Sequence, residues 1–188
     1  QVTGGTLNVG GTSFTNAGAL AISGGSAVIG SPTWSSPGSL AISAGRLSLG
    51  GSIALADLPA FAHTGGTVVI TGNVDNVGRT LSLSGSWELS NGTIHGGTLQ
   101  IAPGTSLVVA SGTRASRLDG VTVVGNIDLN NATLRVNDVA IDGRVSLAGS
   151  YYGYSSLAFE GTQTLRGHAE IVGSVGSYYN ALEMTTAG

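Results

Sequence analysis

The chain contains no cysteine and no lysine, and charged residues make up only 9% of its 188 positions. Without cysteine, neither a disulfide framework nor a thiolate metal site is available. Without lysine, none of the glycine pairs can belong to a G-x-x-x-x-G-K-[ST] phosphate loop. Those pairs read instead as tight corners. Ten acids against seven arginines leave a net charge of −3, which argues against nucleic acid or an anionic membrane surface as partner. No apolar run approaches the ~18–20 residues that cross a bilayer, so membrane insertion is not expected. Proline totals four, and glycine, although it occurs 32 times, has no period of three. Collagen is therefore excluded. With 41% apolar residues, disorder through low hydrophobicity is excluded as well. No segment sustains a 3.6-residue period, so no long helix is expected.

What the chain does contain is a repeat. TGGTLNVG (3–10), SGGSAVIG (23–30) and SAGRLSLG (43–50) align without a gap at steps of twenty, and GALAISGG (18–25) returns as GSLAISAG (38–45). FTNAG (14–18) aligns with WSSPG (34–38), which puts Phe14 and Trp34 at equivalent positions. Looser copies follow at TGGTVVIT (64–71), LSGSWELS (83–90) and HGGTLQIA (95–102). Inside each unit, apolar residues alternate with polar ones over about five positions: Leu7/Val9, Leu20/Ile22, Leu40/Ile42, Val68/Ile70, Leu99/Ile101 and, later, Ile127/Leu129 and Val145/Leu147. Period-two alternation marks strands with one buried face, and the intervening Gly, Asn, Ser and Pro supply the turns.

A fixed step of this kind favours a solenoid over a sandwich of hairpins, because sandwich strands have no reason to recur every twenty residues. A left-handed hexapeptide helix would require apolar positions every six. In 126–149 the apolar pairs begin at 127, 134, 139 and 145, which breaks that rule. The expected fold is all-β: a right-handed parallel β-helix (β-solenoid) with coils of about twenty residues. Dividing the length by this period gives nine or so coils. Residues 1–188 are expected to form a single solenoid segment, with GG-rich repeats over about 1–111 and Asp/Asn-bearing repeats over about 112–188. Gly5, Gly25 and Gly45 should hold backbone conformations poorly suited to side chains. Wide turns are expected at SPTWSSPG (31–38) and ALADLPAFAHTGG (54–66), with protruding loops at SYYGYSS (150–156) and GSYYNAL (176–182).

GGTLNVGGTSFTNAGALAISGG (4–25) resembles the repeats of filamentous-haemagglutinin-type adhesins and autotransporter-like bacterial surface proteins. LDGVTVVGNIDLNNATLRVNDVAIDGRVSLAG (118–149) and LAFEGTQTLRGHAEIVG (157–173) look like the later, less glycine-heavy repeats of such proteins. The resemblance implies a right-handed β-helical segment of a large exported protein, extracellular or on the bacterial cell surface. It implies no catalytic residue.

Three chemistries compete. The histidines at 63, 95 and 168 form neither H-x-x-x-H nor H-E-x-x-H, so they read as turn or surface residues, and no metal or cofactor is expected. The acids carry the strongest enzyme signal, because carboxylates on neighbouring coils can work as an acid–base pair. Asp119 and Asp138 are 19 apart, and Asp142 and Glu160 are 18 apart, so either pair could face across adjacent coils. Asp128, Asp138 and Asp142 alternate with apolar residues and read equally well as solvent-side strand residues, with Arg135 and Arg144 near enough to balance stacked acids. The tyrosines Tyr151, Tyr152, Tyr154, Tyr178 and Tyr179 form a candidate ligand-binding group, since aromatic clusters stack on sugars or anchor proteins. They could equally cover a loop or an open coil end.

The leading reading is a structural and adhesive β-helical segment, non-catalytic, whose partners are a host or neighbouring-cell surface protein or glycan and further repeats of the same chain. The alternative is a carbohydrate-active β-helix, a fragment of a polysaccharide lyase or glycosidase. An ice-binding face needs a regular threonine ladder, and Thr3/Thr6 becomes Ser23/Ser26 and then Ser43/Arg46. The chain starts inside a repeat and stops without an amphipathic cap, so it is expected to be a fragment of a longer array. Its ends should fray or self-associate end to end.

Overall fold

The computed structural model describes residues 1–58, 60–113, 115–149, 153–174 and 179–186. Strand residues dominate, and every strand pairing is parallel. The period set by the sequence appears directly in the register. Thr6 lies opposite Ser26 and Ser26 opposite Arg46; Phe14 faces Trp34; Leu20 faces Leu40 and Ile22 faces Ile42. The chain is a β-solenoid of about seven turns.

Each coil presents three walls. The first holds 19–22 and 39–42, then Ala60–His63, Thr80–Leu83, Thr98–Ile101, Thr122–Val124 and 140–142. The second holds Thr6–Val9, 26–29, 46–49, Thr67–Ile70, Ser86–Leu89, Ser106–Val109, Asn126–Asn130, 143–148 and Ala169–Gly173. The third is a separate nine-stranded sheet running from Ser13–Thr15 through Thr33–Ser35, Ser52–Ala54, Asn73–Asp75, Thr93–His95, Ser116–Asp119, Thr133–Asn137 and Tyr154–Glu160 to Tyr179–Thr185. The first two walls merge into one sheet because Ala19–Ile29, Ser39–Leu49 and Ala140–Ala148 run through the corner between them.

Inward positions form continuous apolar columns. Along the second wall Val9, Ile29, Leu49, Ile70, Leu89, Val109, Leu129 and Leu147 follow one another in register, and all but Val9 are buried. Each full burial of such a side chain contributes about 1.5–3 kcal/mol. The column is therefore what makes a short strand stable. Two tryptophans fill the wider parts of the interior, and their indole N–H groups do not go unpaired. Trp34 donates to the Gly50 carbonyl at 2.8 Å and Trp87 to the Ser84 carbonyl at 3.1 Å.

The corners obey the backbone demands read from the repeat. Gly5, Gly25 and Gly45 have φ of +66°, +67° and +83°, where a Cβ is disfavoured. After the second wall, asparagine takes over this role at Asn91 and Asn131, with φ of +56° and +55°. Asparagine is among the few non-glycine residues that tolerate the left-handed region. Other asparagines tie a coil to its successor: Asn16 donates to Ser36 Oγ and the Ser39 carbonyl, and buried Asn76 to the Gly96 and Thr98 carbonyls.

Several expectations are corrected. The segment 31–38 is not a wide turn, because Thr33–Ser35 is a third-wall strand with Trp34 buried at its centre. In 54–66 only the 3-10 turn Leu55–Asp57 bulges, and Ala60–His63 returns to the first wall. Tyr154–Glu160 and Tyr179–Thr185 are strands, so Tyr154 and Tyr179 do not stand on loops. Among the described residues the first wall holds seven strands, one for each of the seven turns, whereas the second and third walls each hold nine, close to the nine or so coils expected. The step between equivalent positions lengthens late in the chain, where Val145 faces Ile171 and Leu157 faces Leu182.

The first wall has a seam that strand alternation does not mark. Among the described residues, Ala60–His63 pairs with Ser39–Leu49 and Thr80–Leu83 pairs with Thr98–Ile101, but the two do not pair with each other. The same coils remain paired on the other two walls. Aromatic bulk sits at this point. The Trp87 ring meets Phe61 and His63 edge-on, with centroids 5.8 and 5.5 Å away. The bulge at Leu55–Asp57 delivers Leu55 and Leu58 to the opening.

Candidate functional site

The outward side of the third wall concentrates the chain's polar chemistry. Alternation sends Trp34, Ile53, Val74, Ile94, Leu118 and Val136 into the interior, so their neighbours on each strand face solvent. Parallel stacking then lines these neighbours up in two columns. One runs Thr33, Ser52, Asn73, Thr93, Arg117, Arg135, and the other Ala54, Asp75, His95, Asp119, Asn137.

In the later coils these groups satisfy one another. Glu160 is almost completely buried, at 3% exposure, and its carboxylate accepts Arg117 Nε at 2.7 Å and Arg135 Nη1 at 3.5 Å. Arg117 and Arg135 lie directly opposite each other, a repulsive arrangement that the shared glutamate offsets. Arg117 Nη1 also reaches Asp119 Oδ2 at 3.3 Å, while Asn137 Nδ2 donates to Asp119 Oδ1 at 2.8 Å. His95 Nδ1 lies 3.4 Å from Asp119 Oδ2. Gln163 latches the following loop onto this network, donating to the Val136 and Glu160 carbonyls and accepting from Asp138 N–H.

The acid pairs anticipated from spacing do not form. Asp119 faces Asn137 rather than Asp138, because the local register step is 18. That single residue carries Asp138 past the strand into a corner with φ +51°, where it pairs with Arg166. Asp142 and Glu160 stand on different walls. Asp142 pairs through the first wall with Val124 and accepts both the backbone N–H and Nδ1 of His168 at 3.0 Å. The side-chain and then the backbone hydrogen bond from His168 hold the Asp142 carboxyl below the usual aspartate range. Asp128 faces outward on the second wall, and Arg144 donates its backbone N–H to Asn126 Oδ1.

Among the tyrosines, Tyr151, Tyr152 and Tyr178 lie outside the described residues. Tyr154 and Tyr179 are brought directly opposite each other on the last two third-wall strands. Tyr154 lines a shallow depression with Thr133, Arg135, Ala158, Glu183 and Thr185; Tyr179 is not part of its lining. Arg135, expected to balance the acids, does pair with Glu160, but the part of Arg117 in this arginine–glutamate network was not anticipated. Its only sequence signal is that Arg117, Arg135 and Glu160 fall at the same strand parity, which needs the true register to be read.

The earlier coils differ. Thr33, Ser52, Asn73 and Thr93 form one column, and none of their side chains hydrogen-bonds within the described residues. They line an open groove together with Asp75, His95 and Asp57, the last of these at the end of the 3-10 turn that forms the groove's wall.

Together the stacked coils, the parallel register and the repeat spacing define a β-solenoid repeat protein. No family model, curated protein or solved structure matches the chain.

Proposed function

We propose that the chain is a structural and adhesive, non-catalytic segment of a large bacterial surface or secreted protein, of the filamentous-haemagglutinin or autotransporter-like kind. In this reading the stacked coils form a stiff rod, and the third wall offers contacts to a surface protein or glycan of a host or neighbouring cell. The observation that carries it is how the acids are used. Glu160, Asp119, Asp138 and Asp142 are each engaged by arginine, asparagine or histidine on neighbouring coils, so their chemistry goes into joining coils. The last strand supports a role in assembly. Leu182 and Met184, in register with Leu157 and Phe159, are 58% and 67% exposed, and Tyr179 on the opposite face is 64% exposed, so both faces of this strand offer contacts suited to a second copy.

The test is twofold. Beads coated with the protein are assayed for attachment to glycan-bearing and protein-bearing cell surfaces, and the soluble protein is incubated with acidic and neutral polysaccharides. Attachment without release of reducing or unsaturated sugar ends is the expected result. Sugar-end release that disappears in Asp138→Asn or Asp142→Asn would establish the carbohydrate-active alternative instead.

A further inference from the structure

The third wall uses its polar side chains in two different ways, and the contrast locates a ligand groove. Beyond Thr93 the outward columns close on themselves through Arg117, Asp119, Arg135 and Glu160. Across the four coils before that, Thr33, Ser52, Asn73 and Thr93 stand in strict register, so their hydrogen-bonding groups repeat every ~4.8 Å along the axis. Ala54 keeps the neighbouring column low. On the far side Asp57 and Asp75 add two carboxylates, and His95, whose Nδ1 lies 3.4 Å from Asp119, also lines the groove. Trp34 and Val74 lie beneath, buried, and offer no open ring face.

From this geometry we infer that the groove over Thr33, Ser52, Asn73 and Thr93 binds a saccharide chain lying along the solenoid axis, neutral or amino-bearing. The inference rests on the adhesive reading and assigns it a site. A row of hydroxyl and amide groups at a strand spacing matches a ligand that presents hydroxyls repeatedly along one direction. A peptide strand would need backbone donors and acceptors, and here those are already taken up in the parallel sheet. Charge selects within the class. Among the described residues the carboxylates lining the groove are Asp57 and Asp75, so an ammonium-bearing sugar is attracted and a uronic acid chain is repelled. Recognition through hydrogen bonds without ring stacking makes the affinity modest and the contacts separable. Loss of one should weaken binding about fivefold.

The experiment uses the whole chain with three hexasaccharide probes: β-1,4-linked glucosamine, β-1,4-linked glucose and α-1,4-linked galacturonate. Amide resonances are followed by NMR titration. The expected result is a set of shifts at Ser52, Ala54, Asn73, Asp75 and Thr93 with the glucosamine hexamer, smaller ones with glucose and none with galacturonate. Asn73→Ala should weaken glucosamine binding about fivefold, and Asp57→Asn with Asp75→Asn should remove its preference over glucose. Circular dichroism checks that each variant keeps its strands, and Asp57→Asn alone serves if the double variant does not fold. Shifts confined to the Tyr154 and Tyr179 surface, or an Asn73→Ala variant that binds unchanged, would overturn the groove and leave the adhesive reading standing. Absence of shifts with all three probes would overturn the groove as well. Failure of the coated beads to attach to any cell surface would instead remove the adhesive reading.

Discussion

Replacing Gly45 by alanine should destabilise the protein far more than the same change at Gly104, although both have nearly the same backbone. Their φ angles are +83° and +79°, so each substitution forces an L side chain into the left-handed region at a cost of about 1–2 kcal/mol. The space around them differs. A Cβ at Gly104 meets nothing within 4 Å, whereas at Gly45 it would lie 2.3 Å from the Gly25 carbonyl oxygen and 2.9 Å from the Gly24 carbonyl carbon. Both obstacles are backbone of the preceding coil, which cannot rotate away. The coils must part locally, and overpacking of this kind costs about 1–3 kcal/mol more. The totals are therefore about 1–2 kcal/mol at Gly104 and about 2–5 kcal/mol at Gly45. For a chain of this size each kcal/mol moves the Tm by about 2–4 °C. Thermal unfolding followed by circular dichroism compares the two variants with the unmodified chain. Equal shifts would refute the claim that coil-to-coil contact, and not φ alone, dictates glycine at this corner.

Three further outcomes follow from the same packing. Trp87→Ala should cost about 3–5 kcal/mol in urea unfolding, because it empties the point where Phe61 and His63 converge; hydrogen exchange should then accelerate first at 80–83, along the open seam. Glu160→Gln should destabilise by about 1–2 kcal/mol, since Arg117 and Arg135 then face each other without their shared carboxylate but keep partial access to water; Arg135→Gln in the same background should recover part of the loss. For Asp142, the folded-state pKa is lowered by His168, so its contribution is present above the ordinary aspartate value of about 3.9 and is lost as pH falls through the lower folded value. Carboxyl NMR titration should place its midpoint below the ordinary value and return it there in His168→Ala.

Much of the scaffold was legible in the chain because twenty-residue spacing, period-two alternation and corner glycine all express one geometry. Phe14 over Trp34 and Leu20 over Leu40 follow from that alone. The outward chemistry was harder to read, since it depends on register where coil length varies. Asn73 to Thr93 is a step of 20, Thr93 to Arg117 one of 24, and Arg117 to Arg135 one of 18. Loops absorb these differences without leaving a mark on strand alternation. A slip of one residue separates Asp138 from Asp119, and a change of wall separates Asp142 from Glu160. The seam was hidden for a related reason: the alternation in 60–63 and 80–83 is intact, and only the bulk of Trp87 against Phe61 and His63 marks where pairing stops.

The central claim is a continuous parallel stack, and spin-label distances along one outward column test it most directly. The absence of cysteine makes introduced labels unambiguous. Asn8, Val28, Ser48, Val69, Glu88, Val108 and Asp128 succeed one another in register. Labels at Asn8→Cys and Asp128→Cys are separated by six strand steps of ~4.8 Å, about 29 Å, and labels at Ser48→Cys and Asp128→Cys by four, about 19 Å. The account predicts two narrow distributions whose centres differ by about 10 Å. Broad distributions, or two distances that do not differ by those two steps, would contradict it.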